Sequence, residues 1–213
     1  TAFFYYRIAI ANHAESGESF RSSFSAKRLD KVLSLIKPGD FVMIQFAHND
    51  EKEKGDGVGA FTTFKASILQ WTAAIKNKGG NPVLITPVHR RTFDANGRIT
   101  NSHGDYPEAV RKAAAETGTP LIDLTEFTKQ LYEALGKDGS GAAFKPGDGT
   151  HHSNYGAFQI AKIIAAELRK QKSPLARFID RSFKGFDPAK PDAPEKVRIP
   201  VSPNYQNTTP LGS

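Results

Sequence analysis

The chain has 213 residues, 38% of them hydrophobic and 24% charged, with a net charge of +7 and no cysteine. That length supports one sizeable core. The missing cysteine removes disulfides, thiolate nucleophiles and cysteine-based zinc sites, and the lack of an apolar run of roughly 18 residues removes a helical membrane span.

The lysines and arginines are scattered rather than clustered, which argues against nucleic acid and suits a solvated surface or an anionic polysaccharide. Thr1 to Tyr6 lacks the basic start and cleavage site of a signal peptide, as a mature exported protein also would. The expectation is a secreted or periplasmic bacterial protein.

In chain order, Ile8-Ala9-Ile10-Ala11-Asn12 reads as a short strand, and Ser25 to Ile36 as a helix with Leu29, Val32, Leu33 and Ile36 at helical spacing. Lys37-Pro38-Gly39-Asp40 is a turn. Phe41 to Phe46 is apolar on both faces, as a central parallel strand should be. Phe61 to Asn77 is an amphipathic helix with Trp71 in the core, stopped at Lys78-Gly79-Gly80. Asn81-Pro82 opens a strand over Val83 to Thr86. Tyr106 to Thr117 is a helix with Pro107 in its first turn, Leu121 to Leu124 a strand, and Thr125 to Leu135 and Ser153 to Gln171 are helices. From Ser173 onward, Pro188, Pro191, Pro194, Pro200, Pro203 and Pro210 forbid helices and central strands. The expected division is therefore an α/β domain over 1–172 and an extended Pro-rich tail over 173–213, which wraps the domain or links to a neighbour.

Alternating strands and helices imply a parallel sheet covered on both faces, with ligands bound beyond the carboxyl ends of its strands. The polar clusters fall at that edge: Ser16-Gly17-Glu18-Ser19, His48-Asn49-Asp50 and His89-Arg90-Arg91. In Asp148-Gly149-Thr150-His151 a carboxylate stands three residues ahead of a histidine, the spacing of an orienting acid and a general base. The same residues also suit a turn acid and a surface histidine. Asn49 could donate its amide, and Gly17 its backbone N–H, to an oxyanion; each also serves as an ordinary turn residue. Arg90 and Arg91 could fork onto a sugar-acid carboxylate or remain solvated. Ser19, Ser22 and Ser23 fit a helix entry better than a nucleophile. His48, His151 and His152 with Asp50 and Asp148 could instead hold a divalent metal, although no compact ligand motif is present. Glu51 and Glu53 receive no role, and His13, His89 and His103 no partner.

Three of these segments together are similar to the SGNH/GDSL hydrolase superfamily, in its rhamnogalacturonan acetylesterase-like branch. Ile10 to Ser19 resembles the second block, whose glycine (Gly17) gives an oxyanion N–H. Ile44-Gln45-Phe46-Ala47-His48-Asn49-Asp50 resembles the third, whose asparagine (Asn49) donates to the oxyanion. There Ala47 stands where the branch has glycine. Asp148 to His151 resembles the fifth block with its catalytic Asp and His, and His103-Gly104-Asp105-Tyr106-Pro107 is also similar to that branch. The likeness spans residue 8 to about 171.

It implies a three-layer α/β/α, flavodoxin-like parallel sheet and a serine-type esterase. Such an enzyme removes O-acetyl groups from a pectic polysaccharide without metal or cofactor, and His48, Arg90 and Arg91 are candidate substrate contacts. It also implies a first block, a strand ending in Gly-Asp-Ser, that matches nothing here; Leu211-Gly212-Ser213 is no substitute. The expectation is that this block belongs ahead of Thr1, and that a further segment, another chain or the tail fills its place in the sheet. The alternatives are an inactive carbohydrate-binding relative and a metal-dependent hydrolase using the His/Asp cluster.

Overall fold

The turn at Gly39, with φ +92, lets Asp40 meet the chain again at Asn81, and the first strand leaves from there. In chain order the computed structural model has helices α1 (Phe20–Ser25) and α2 (Arg28–Leu35), strand β1 (Phe41–Ile44), helix α3 (Lys65–Asn77), strand β2 (Asn81–Ile85), helix α4 (Tyr106–Thr117), strand β3 (Leu121–Ile122), and helices α5 (Leu124–Gly139) and α6 (Asn154–Lys170). The structure describes Phe3, Phe4 and residues 7–199. Pro200, Pro203, Pro210 and Leu211-Gly212-Ser213 lie outside the described residues. The described residues fall into two compact units.

The first unit comprises residues 12–87 and 103–123 and contains the whole sheet, parallel and ordered β1-β2-β3. Phe41 faces Asn81, Ile44 faces Leu84, and Ile85 faces Ile122. Helices α3 and α4 pack on each other and on β2, burying Ile68, Trp71, Ile75, Val110 and Ala113. Phe20 stacks on Phe46 at 4.0 Å and meets Trp71 edge-on at 5.9 Å, which confirms Trp71 as a core residue.

Three expectations fail in instructive ways. Helix 25–36 is two helices, because a reciprocal Ser19/Ser22 capping box starts α1 early and Lys27, at φ +53, breaks the run before α2. Ile8–Asn12 forms no strand. Among the described residues no neighbouring strand takes up its backbone, and Ile10 is left 60% exposed. Lastly, β1 is not central: among the described residues it pairs with β2 alone, and Met43 is 41% exposed.

The second unit comprises residues 88–102 and 124–199, with 7–11 and Phe3–Phe4. Helices α5 and α6 pack together over Leu131, Tyr132, Ile163 and Leu168. Gly136, at φ +75, kinks α5 and leads into the 3-10 turn Ser140–Ala143. The Pro-rich segment is fastened to α6. The Asp192 carboxylate accepts from Lys162 Nζ at 2.5 Å and Gln159 Nε2 at 3.0 Å, while Tyr155 donates to its carbonyl at 2.6 Å. Arg169 donates to the carbonyls of Phe183 and Asp180. No helix among the described residues is long and apolar enough to cross a membrane.

Candidate active site

The Asp148–His151 turn closes on itself through local bonds. Asp148 Oδ1 accepts the backbone N–H of Thr150 at 2.6 Å and of His151 at 3.0 Å, while Oδ2 meets His151 Nδ1 at 2.6 Å. A carboxylate only accepts, so Nδ1 carries the proton and Nε2 is left as the basic nitrogen. The His151 side chain is 58% exposed. The two backbone donors, then the imidazole, hold the Asp148 carboxyl well below the usual carboxylate range.

This turn is anchored at both flanks. Lys145 N donates to His151 O at 2.9 Å, and Ser153 caps α6 while its own N–H and Oγ bind the carbonyls of Ala143 and Ala142. His152 points the other way from its neighbour. Its Nε2 is hydrogen-bonded to the buried Tyr132 hydroxyl at 2.5 Å, its ring lies 4.8 Å from Phe144, and burial pushes its pKa down to about 4.

The two arginines at the end of β2 differ. Arg91 N donates to Gly149 O at 2.7 Å, and its guanidinium is held by Ser140 Oγ and Lys137 O at 3.0 and 2.6 Å. Arg91 therefore braces the turn between Asp148 and His151. Arg90 reaches Ser102 at 3.4 Å.

In the sheet unit, Asn49 is tied to the residue that follows Gly17: its Nδ2 donates to Glu18 O at 3.3 Å. Gly17 sits at φ +78, exposed, with no atom within 4 Å of where a Cβ would stand. The loop is anchored by Asp50, whose carboxylate accepts Phe20 N at 2.8 Å and Ala47 N at 3.0 Å. Ala47 is fully buried at φ +120, a backbone region that favours glycine, the residue the branch has at this position. The Asp50 bond and the Ala47 O–Glu51 N bond hold it there.

Burial pushes the Asp50 pKa up to about 6 against its two donors. A carboxyl raised in the fold binds its proton earlier there than in the unfolded chain, so stability rises as pH falls from about 6 towards 4. Urea unfolding is expected to show a gain of about 1 kcal/mol between pH 6 and pH 5, and Asp50→Asn removes that gain.

His103 and Glu51, 52 positions apart and unpaired by any spacing rule, meet at 2.7 Å, with the His103 side chain fully enclosed. His48 packs edge-on against His103 at 4.5 Å between ring centres. Tyr106 fixes the same loop by donating to Asp50 O at 3.1 Å. Only the similarity of His103 to Pro107 to the esterase branch hinted that this segment matters.

Of the five side chains weighed as metal ligands, His152 is tied to Tyr132 and Asp50 to two backbone amides. Among the described residues no three His, Asp or Glu side chains group as ligands.

Over 181 residues the chain is 36% identical to rhamnogalacturonan acetylesterase RhgT of Bacillus subtilis, a match covering 79% of this chain and 77% of that one. It belongs to the rhamnogalacturonan acetylesterase family. A probable rhamnogalacturonan acetylesterase of the same organism, YesY, is 33% identical, with 81% of this chain and 82% of that one covered. No family model matches.

The crystal structure of Bacillus subtilis protein YxiM superposes with a TM-score of 0.71 at 28% identity, covering 78% of this chain but 47% of that one, so the chain spans about half its length. The acetylxylan esterase Axe2 of Geobacillus stearothermophilus shares the fold at 20% identity and a TM-score of 0.55, covering 73% of this chain and 68% of that one. Fold and family are thus those of SGNH-type, serine-type carboxylic ester hydrolases, and the α/β architecture with a parallel sheet is the one the residue pattern implied.

Proposed function

We propose that this family member is a carbohydrate esterase that removes O-acetyl groups from a pectic, rhamnogalacturonan-like polysaccharide. The observation that carries the reading is the 2.6 Å bond between Asp148 and His151 Nδ1. It leaves Nε2 to take a proton from a serine hydroxyl as it attacks the acetyl carbonyl carbon. The same nitrogen then protonates the departing sugar oxygen. Water, deprotonated by His151 in turn, attacks the acetyl-serine, releases acetate and regenerates the serine. Gly17 N–H and the Asn49 amide are the donors to the tetrahedral oxyanion, each worth ~2.7–4 kcal/mol where well placed. His48 and Arg90 are the proposed sugar contacts.

The nucleophile is placed on a further strand ending in Gly-Asp-Ser that pairs along the edge of β1 left open by β2, whichever polypeptide contributes it. The one-sided pairing of β1 and its exposed Met43 support that position. A polymer substrate cannot enter a cell, so the site of action is proposed to be outside the cytoplasm. The substrate is expected to bind through sugar contacts rather than through the charge of the protein as a whole.

A serine-directed phosphonate, applied to the protein together with its Gly-Asp-Ser strand, tests the reading. Covalent labelling that blocks acetate release from acetylated rhamnogalacturonan supports it. Turnover that survives the phosphonate and disappears with a chelator would replace it with metal-dependent hydrolysis. Glycan binding with neither labelling nor turnover would replace it with a binding protein.

A further inference from the structure

We infer that Lys52 is a positioning residue for the oxyanion donor Asn49: it locks the carboxamide in one of its two flips and polarises it. The inference rests on the esterase reading and adds a residue to it. Asn49 is followed by the 3-10 turn Asp50–Lys52, and Lys52 N donates to Asn49 O at 3.1 Å. Three residues per turn stack positions i and i+3, which brings the Lys52 side chain back over Asn49. There Lys52 Nζ donates to Asn49 Oδ1 at 2.8 Å.

The other end of the same carboxamide, Nδ2, donates to Glu18 O at 3.3 Å. An ammonium can only donate and a carbonyl can only accept. The two partners therefore impose the same flip, with oxygen towards Lys52 and nitrogen towards the Glu18–Gly17 segment. Nδ2 carries two hydrogens, and Glu18 O takes one; among the described residues the second has no protein acceptor. That second N–H is the one available to an oxyanion.

The ammonium contributes in a further way. A charge-assisted bond at Oδ1 draws electron density from the amide and makes its remaining N–H a stronger donor. The acids flanking Lys52 are engaged elsewhere, Glu51 with His103 and Glu53 with Ser19 Oγ at 2.5 Å. Either carboxylate would otherwise compete with Asn49 for the ammonium.

The test measures acetate release from p-nitrophenyl acetate by the complete enzyme, with the Asn49 side-chain amide followed by ¹⁵N–¹H NMR and identified by its loss in Asn49→Ala. Lys52→Met is expected to lower kcat about tenfold, less than loss of the donor itself, with KM and thermal midpoint unchanged. The Asn49 amide signal should shift in the same variant. Lys52→Arg, which keeps a donor at that end, should recover most of kcat and return the signal towards wild type. Lys54→Met, which removes the same charge from an exposed neighbour, should leave kcat unchanged. In an Asn49→Ala background, Lys52→Met should have no further effect.

An active wild type whose kcat and Asn49 signal are both indifferent to Lys52→Met overturns the role of Lys52 alone. A shifted signal with unchanged kcat overturns it too. A wild type that releases no acetate, while its Asn49 signal still responds to Lys52, overturns the esterase reading instead.

Discussion

Asp148→Asn is expected to lower kcat for acetate release by about 10⁴-fold while leaving the fold intact. The asparagine amide would face His151 Nδ1 with a donor, which forces Nδ1 to accept and moves the ring proton to Nε2, the nitrogen that has to be basic. His151→Ala is expected to cost about as much, and the double variant little more than either, because the pair acts as a unit. Both side chains are partly exposed, so circular dichroism and the thermal midpoint should barely change.

The pH profile follows from the same bonds. A carboxyl held below its ordinary value keeps its contribution to the turn above the unfolded value of about 4, and loses it only as pH falls through its lower folded value. Asp148 thus stays ionised through the mildly acid range.

Gly156→Ala should be the most damaging glycine-to-alanine change among the described residues. Gly156 lies in the first turn of α6, where an added Cβ would stand 2.0 Å from Ala143 O, 2.9 Å from its carbonyl carbon and 3.1 Å from its Cα. All three are backbone atoms, so no side chain can swing aside. The 3-10 turn Ser140–Ala143 would have to move, and with it the Ala143 carbonyl that receives Ser153 N and the bridge from Phe144 to His152. A loss of about 3 kcal/mol is expected, read as a lowered urea midpoint, together with loss of activity because the Asp148–His151 turn hangs from these bonds. Gly139→Ala is the control. It has helical backbone angles and no atom within 4 Å of the new Cβ, so stability should hold or rise slightly.

Local features were the legible ones. Asp148 and His151 are three residues apart, so their spacing announced the bond. Helix α4 begins at Tyr106 with Pro107 in its first turn and ends at Gly118, φ +60, because both signals act within one turn of chain. Ser19 reads as a helix entry from sequence alone, but its reciprocal partner is Ser22 rather than the usual acid, so the pattern does not show where α1 starts.

What distance in sequence conceals was not legible. Nothing in the order of residues joins Glu51 to His103, or Tyr132 to His152, and both pairs turn out to support a candidate site residue's neighbourhood. Arg91 looked like a substrate contact because it follows a strand, yet its hydrogen bonds go to the dyad turn and to α5. Ile8–Asn12 has the composition of a strand, but strand formation requires a neighbour that pattern alone cannot supply.

Met43 is the chain's single methionine, and it lies on β1, which among the described residues is paired along one side only. Its thioether is thus a built-in accessibility gauge. Mild peroxide would add one oxygen, 16 mass units by the general chemistry of sulfoxide formation, at one known place. The rate of that addition would report, without any label or mutation, whenever something comes to lie over that side of the molecule.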